Sequence, residues 1–172
     1  MEYPVQCFLG LKKPTKKEFD KITNMAKGMN KPCGGLWTSS YFKDKKCGWE
    51  EWIEKEEFDE DKYAKKWIVT INKDVKVLTI DSHKDMEKAY EDFPFLGDRL
   101  VPELDYEKIA KKYDIVHLTE NGFKECNLGE IGKYIPTFKF LMLTFDSWDC
   151  ESSLILNWKC IETIKEHKEY DV

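Results

Sequence analysis

Arginine is almost absent from this sequence: Arg99 is the single arginine among 28 basic residues, and the net charge is −5. Arginine is the side chain best suited to bidentate contacts with phosphates and base edges, so this chain has to bind anions through lysine, backbone N–H groups or helix ends. An acidic balance also disfavours nonspecific nucleic-acid binding, which depends on neutralising phosphates. We therefore expect a macromolecular partner to be a protein rather than a nucleic acid.

Long apolar runs are also missing. No stretch approaches the roughly 20 consecutive apolar residues that cross a bilayer, and Met1–Val5 has neither the basic nor the apolar region of a secretion signal. These absences predict a protein without a membrane partner and with a cytoplasmic location. The chain is 41% hydrophobic and 14% aromatic, so residues 1–172 are expected to form a single domain with a core of ordinary size.

Motifs for several kinds of chemistry are lacking. The chain has no P-loop, no G-x-G-x-x-G fingerprint, no H-E-x-x-H and no G-x-S-x-G, which disfavours the corresponding nucleotide-binding, zinc-protease and serine-hydrolase classes. The cysteines form no C-x-x-C pair and no Cys/His group at metal-ligand spacing. We therefore expect reduced thiols and no metal, because a zinc site would need ligands from distant segments. The six cysteines are Cys7, Cys33, Cys47, Cys126, Cys150 and Cys160.

The pattern of apolar residues predicts an α+β fold, with many strands and few helices that do not follow strict βαβ order. A hairpin is expected between 66–71 and 75–80, because Asn72-Lys73-Asp74 suits a tight turn. Further strands are predicted at 3–11, 36–41, 114–118, 138–145 and 154–158. Helices are predicted to begin at Thr15, Asp81-Ser82 and Asp105, and another has Trp49, Trp52 and Ile53 on one face.

A glycine pair and three hydroxyl residues mark the strand predicted at 36–41. Gly35 follows Gly34, and glycine allows a ligand to approach the backbone closely. Thr38, Ser39 and Ser40 offer hydrogen-bond donors at the end of the strand. The alternative is an ordinary loop-to-strand junction whose hydroxyls face solvent.

Two carboxylates, Asp149 and Glu151, stand two residues apart before the strand predicted at 154–158. In a strand such residues share one face, where two carboxylates repel each other and lose hydration if the face is covered. A working site tolerates this cost more readily than a passive surface does. The alternative is a solvated strand entrance, where acids are common.

His117 lies within the strand predicted at 114–118. An imidazole titrates near neutral pH, so His117 is a candidate acid or base. The alternative is a histidine that is hydrogen-bonded within the core. His83 and His167 lie on charged segments and are expected at the surface.

Taken in chain order, these features resemble the ADP-ribosyltransferase superfamily: a first strand, the Trp37-Thr38-Ser39-Ser40 strand, a tryptophan-containing helix, paired strands, and Asp149-Cys150-Glu151 before a last strand. The resemblance implies a split α+β fold, with antiparallel or mixed sheets flanked by a few helices, that binds NAD between two sheets. NAD would be a substrate whose ADP-ribose is transferred to an unknown acceptor or to water.

The resemblance also assigns roles to individual residues. Glu151 would be the catalytic glutamate that binds the ribose and stabilises the positive charge that grows as nicotinamide leaves. Asp149 would orient the acceptor. One branch of the family has an arginine on the first strand, and here Gln6, Lys12 or Lys13 would take its place. The candidate cofactor site comprises Gly35, Trp37, Thr38, Ser39, Ser40 and His117, with Trp37 stacked on nicotinamide.

Two other functions remain open. A non-enzymatic interaction module of a phage or mobile element would use exposed aromatic side chains as anchors. A metal-dependent nuclease would need a cluster of acids around a histidine, although the acidic net charge and the scarcity of arginine disfavour it. The anchors would be Trp49, Phe93 and Phe95, and the nuclease residues would be Asp114, His117, Asp149 and Glu151.

Overall fold

The computed structural model describes residues 3–24, 31–58, 63, 65–95, 103–127 and 145–168. Within these residues the chain forms nine strands and four helices, which confirms the α+β class. Strands β1 to β9 are Gln6–Leu9, Leu36–Ser40, Lys66–Ile71, Val77–Ile80, Pro94–Phe95, Glu103–Leu104, Ile115–Leu118, Ser152–Ile155 and Ile161–Glu166. Helices α1 to α4 are Gly48–Lys55, His83–Asp92, Tyr106–Lys112 and Glu120–Cys126.

Seven strands form one mixed sheet in the order β4-β7-β8-β2-β1-β3-β9. Every neighbouring pair is antiparallel except β4 and β7, which run parallel. The centre of the sheet is its narrowest point, because β1 and β2 meet only over Gln6↔Ser40 and Cys7↔Ser39. This short junction divides the sheet into two parts, β4-β7-β8-β2 and β1-β3-β9. Strands β5 and β6 form a separate two-stranded sheet.

The large sheet is strongly curved. Its order separates β3 from β4 by five strand spacings, about 24 Å in a flat sheet, yet six residue steps join Ile71 to Val77 and span at most roughly 21 Å. Curvature brings the two parts face to face, and their side chains share one core. In that core Ile115 and Ile155 pack with Val69 of β3.

Helices α2, α3 and α4 cover the opposite face of β7 and β8. The alternation along β7 is clear, since Val116 and Leu118 belong to the core under the helices, whereas Ile115 belongs to the core between the two parts of the sheet. His117 therefore lies on the inner, concave face with Ile115. In the described residues, no helix combines the length and the apolar character that a bilayer crossing requires.

The predicted hairpin between 66–71 and 75–80 is wrong, although a turn is present. The N–H of Val75 donates to the carbonyl of Asn72 at 3.3 Å. Both sides of β3 are already occupied by β1 and β9, so β4 cannot pair with it. Instead β4 lies at the far edge of the sheet, where it pairs in parallel with β7.

The helix predicted to begin at Thr15 is also wrong over the described residues to 24. The hydroxyl of Thr15 does donate to Glu18 Oε2 at 2.7 Å, so the two side chains of the predicted capping box contact each other. The chain then leaves the helical path because Thr23 and Cys33 exchange backbone hydrogen bonds of 3.1 and 3.0 Å. Tertiary pairing therefore overrides the local capping pattern.

The remaining predicted helices are present. Ser82 caps α2 by accepting from the N–H of Asp85, and Asp105 caps α3 by accepting from the N–H of Lys108. The tryptophan-containing helix is α1, although Ile53 is its only buried residue. Most of the strand predicted at 138–145 lies outside the described residues, as does Arg99.

Candidate functional site

Strand pairing brings the hydroxyl strand and the late carboxylate together. β2 and β8 are antiparallel neighbours, with Trp37 opposite Leu154 and Thr38 opposite Ser153. Continued by two residues, this register places Glu151 beside Ser40 at the end of the strand pair. Residues more than a hundred positions apart in the chain thus become direct neighbours.

The Glu151 carboxylate is held by three donors from β2. Oε2 accepts from the hydroxyl of Ser39 at 2.8 Å and from the N–H of Ser40 at 3.0 Å. Oε1 accepts from the hydroxyl of Ser40 at 2.9 Å. The hydroxyl of Ser39 in turn accepts from the N–H of Gly48 at 3.0 Å, which ties the start of α1 to the site. The carboxylate, 12% exposed, therefore has a fixed orientation.

His117 stands beside Glu151 on the neighbouring strand β7. Its Nδ1 lies 2.8 Å from Ser153 Oγ and 3.6 Å from Glu151 Oε1. Ser153 Oγ also lies 2.7 Å from the hydroxyl of Tyr3. Burial lowers the pKa of His117 below its ordinary value of 6.5, although the Glu151 carboxylate opposes this shift. A neutral imidazole with a fixed ring is therefore part of the site at neutral pH.

An open cleft of about 490 Å³ lies over this group. Ser40, His117 and Glu151 form its base, and lysine and aromatic side chains from α1, α4 and the β2–α1 connection surround them. Clefts of this size bind whole small molecules. The surrounding residues are Phe42, Lys45, Lys46, Trp52, Lys55, Phe123 and Lys124.

The four lysines differ in their partners within the described residues. Lys46 pairs with Glu54, Lys55 with Glu56 and Lys124 with Glu120. Lys45 instead lies over the ring of Phe42, with its Nζ 4.1 Å from the ring centre. The charge of Lys45 also helps to lower the pKa of Glu120, after the larger effect of Lys124. An ammonium group that contacts an aromatic ring, and forms no ion pair within the described residues, can still bind an incoming anion.

Four of the predicted cofactor residues, Gly35, Trp37, Thr38 and Ser39, do not line this cleft as the structure describes it. Ser39 is fully buried and acts on the cleft only through its hydrogen bond to Glu151. Trp37 lies on the opposite face of β2, edge-on to Trp148 at 4.7 Å, and borders a separate cavity of about 240 Å³. Thr38 is fully buried and donates to Gln6 Oε1 at 3.1 Å. Gly35 packs against β8, where an added Cβ would meet the Ile155 carbonyl at 2.8 Å. Strand alternation separates Trp37 from the cleft.

Asp149 lines the cleft but is not on a strand face with Glu151. The residue has a left-handed φ of 65°, and β8 begins only at Ser152. Its Oδ2 pairs with Lys31 Nζ at 2.6 Å. The prediction that Asp149 and Glu151 share one face of a strand is wrong, because both residues lie in the turn between the short 3₁₀ helix Asp146–Trp148 and β8.

The residues considered for the other functions are dispersed. Asp114, at the other end of β7 from His117, accepts from the N–H of Lys76 at 3.1 Å and from Asn157 Nδ2 at 3.2 Å. It therefore does not join the nuclease group. Phe93 is buried, so it offers no surface anchor. Gln6, considered as a substitute for the first-strand arginine, is buried and faces Thr38.

Sequence reasoning missed the lysine and aromatic residues around the cleft. Lys45 and Lys46 come from the lysine-rich turn directly between the hydroxyl strand and α1. Their position in the chain could have indicated this, because a turn that directly follows a strand of the site must lie close to the site. Phe123 and Lys124 gave no comparable signal, because α4 reaches the cleft only through tertiary packing.

Three kinds of group therefore meet in one cleft. A fixed carboxylate can stabilise developing positive charge or accept a proton, ammonium groups bind phosphates, and aromatic faces stack on flat rings.

Comparison with known proteins found no match: no protein-family model, no curated protein and no solved structure is similar to the chain.

Proposed function

We propose that the cleft binds NAD and that Glu151 promotes transfer of ADP-ribose to an acceptor or to water. The observation that carries this proposal is the set of hydrogen bonds from Ser39 and Ser40 that hold the Glu151 carboxylate at the base of the cleft. Cleavage of the bond between ribose and nicotinamide builds positive charge on the ribose. A preorganised carboxylate stabilises such charge without having to reorient.

The surroundings of the carboxylate support a dinucleotide. In this proposal Lys45 binds the pyrophosphate, since Arg99 is the single arginine of the chain. Phe42 and Trp52 offer faces for a base or for nicotinamide. Asp149, at the edge of the same cleft, would orient the acceptor. His117, which lies beside Glu151, would contact the ribose or the departing nicotinamide.

The acceptor and the location belong to the same proposal. Lysines around the cleft are paired with acids such as Glu120 and Glu54, a mixture of charges that suits a protein surface as acceptor better than the continuous phosphate backbone of a nucleic acid. A protein side chain is therefore the acceptor that we favour.

We propose a cytosolic location because the six cysteines are free thiols, as is usual in reducing compartments.

Thermal unfolding with and without NAD tests the binding step. A ligand at one hundred times its Kd stabilises the folded state by about 2.7 kcal/mol, which corresponds to a Tm increase of roughly 5–11 °C for a chain of this size. Nicotinamide alone should give a smaller increase at the same concentration, because it lacks the phosphates that Lys45 would bind. An unchanged Tm in millimolar NAD would contradict the proposal.

A further inference from the structure

Three metal-ligand atoms converge next to the cleft, at the junction of β1 and α1. Cys7 belongs to β1, Cys47 precedes the first residue of α1, and Glu50 lies in the first turn of that helix. Both sulfur atoms and a Glu50 carboxylate oxygen lie within 4.8 Å of one another. A tetrahedral Zn²⁺, at about 2.3 Å from sulfur and 2.0–2.2 Å from oxygen, sets its ligand atoms roughly 3.5–4 Å apart. Only small side-chain movements therefore separate this arrangement from coordination.

The three side chains are held in place by the fold. Cys7 is 0% and Cys47 1% exposed. The Glu50 carboxylate accepts from the N–H of Cys47 at 2.9 Å through Oε2 and pairs with Lys66 Nζ at 2.6 Å through Oε1. Each oxygen retains a further lone pair, so a cation can bind without loss of these contacts. Glu50 is the partly exposed member of the group and marks the side from which an ion would enter.

The charges of this group match a divalent cation. Two thiolates and one carboxylate carry three negative charges, which Zn²⁺ and the Lys66 ammonium group neutralise together. Two sulfur ligands also favour Zn²⁺ over Mg²⁺ or Ca²⁺, which prefer sets made up of oxygen. Without a cation, two buried thiols face a carboxylate that is paired with Lys66.

We infer that Cys7, Cys47 and Glu50 bind one Zn²⁺ ion, with water in the fourth position. Binding breaks the two S–H bonds, forms two Zn–S bonds and releases two protons to solvent. The ion would join β1 to the start of α1. The N–H of Gly48, the residue after Cys47, donates to the Ser39 hydroxyl that holds Glu151. Zinc would thus stabilise the donors around the cleft carboxylate, although the inference does not rest on the proposed NAD chemistry.

Calorimetric titration of chelator-treated, reduced protein with Zn²⁺ tests the inference. We expect one saturable equivalent in the wild type and at least a tenfold weaker affinity in Cys7→Ser and in Cys47→Ser. The matched control is Cys33→Ser, which changes an exposed cysteine outside the group and should bind Zn²⁺ like the wild type. Glu50→Gln keeps both thiols and should also weaken binding tenfold, so the test survives if a cysteine variant fails to fold.

A spectroscopic measurement on the wild type distinguishes thiolate coordination from adventitious binding. Co²⁺ in place of Zn²⁺ should give thiolate-to-cobalt charge-transfer absorption, which Cys47→Ser weakens by removing one of the two thiolates and Cys33→Ser leaves unchanged. Two results would overturn the inference: no saturable binding in the wild type, or unchanged affinity in Cys47→Ser.

Discussion

Glu151 and Glu50 lie near the two ends of the Ser39–Gly48 hydrogen bond. The two carboxylates differ in whether their partners are neutral or charged. Among the described residues, the Glu151 carboxylate accepts hydrogen bonds from neutral groups of β2, and it lies at the base of an open cleft. The Glu50 carboxylate pairs with the Lys66 ammonium group and faces two buried thiols. The pKa of Glu50 is lowered, since the Cys47 N–H and Lys66 outweigh the opposing effect of burial.

The difference matters for what each carboxylate can do chemically. A carboxylate that a lysine already neutralises contributes mainly to the local fold, or to a cation that the lysine helps to balance. A carboxylate held by hydroxyl and N–H donors has a fixed position, while its charge remains available to a ligand. This contrast leads us to assign the chemistry to Glu151 and not to Glu50.

The largest expected effect is on catalysis by Glu151. Glu151→Gln keeps the size of the side chain but removes its charge, so NAD turnover should fall by about 10²–10³-fold. Glu50→Gln should keep turnover within about tenfold of the wild type, because Glu50 acts on the cleft only through α1. Release of nicotinamide from labelled NAD, measured by chromatography, provides both rates.

The exposed Glu162→Gln on β9 is the matched control for this pair, since it makes the same chemical change away from the cleft. Equal turnover in Glu151→Gln and in the control would remove the distinction between the two glutamates. Tm values for all three variants separate a chemical effect from loss of the fold.

A smaller effect is expected at Lys45. Lys45→Gln removes an ammonium group that contacts an aromatic ring at the edge of the cleft, so the Kd for NAD should rise about fivefold, or roughly 1 kcal/mol. Added salt should weaken binding less in this variant than in the wild type. Lys165→Gln, on the distant β9, should leave Kd unchanged, and an equal loss in both variants would contradict the assignment of the pyrophosphate to Lys45.

The smallest effect concerns the pH dependence of stability at His117. The pKa of His117 is lower in the folded protein than its ordinary value of 6.5, so the unfolded chain binds the proton more readily. Its contribution to stability is therefore present above pH 6.5 and is lost as the pH falls through the folded pKa. Between pH 7.5 and 5.5 the wild type should lose more unfolding free energy than His117→Gln. Denaturant titrations at both pH values measure this difference, and equal losses would show that His117 is not buried in neutral form.

The sequence predicted those parts of the site whose residues are adjacent in the chain. The α+β class, the hydroxyl strand and the late acidic motif could be read from local patterns, and the structure brings Ser39, Ser40 and Glu151 together. The face of each strand was harder to predict. Trp37 and Ser40 belong to one strand but to opposite faces of the sheet, so only one of them meets the cleft.

Features that depend on distant pairing were not predictable. The turn after Asn72 indicates a hairpin, but the occupied neighbours of β3 exclude one. Cys7 and Cys47 are forty residues apart and match no spacing rule, yet β1 and the start of α1 bring them together. The left-handed conformation of Asp149, next to the buried Trp148, was likewise not predicted. Local propensity has no information about these contacts.

The central claim is that Glu151 is positioned to act on bound NAD. A crystal structure of the Glu151→Gln variant soaked with NAD tests it most directly, because slow turnover would preserve the ligand. We predict a ribose hydroxyl within about 2.6–3.2 Å of the side chain at position 151, with the pyrophosphate near Lys45. NAD bound outside this cleft, or an empty cleft at saturating NAD, would contradict the account.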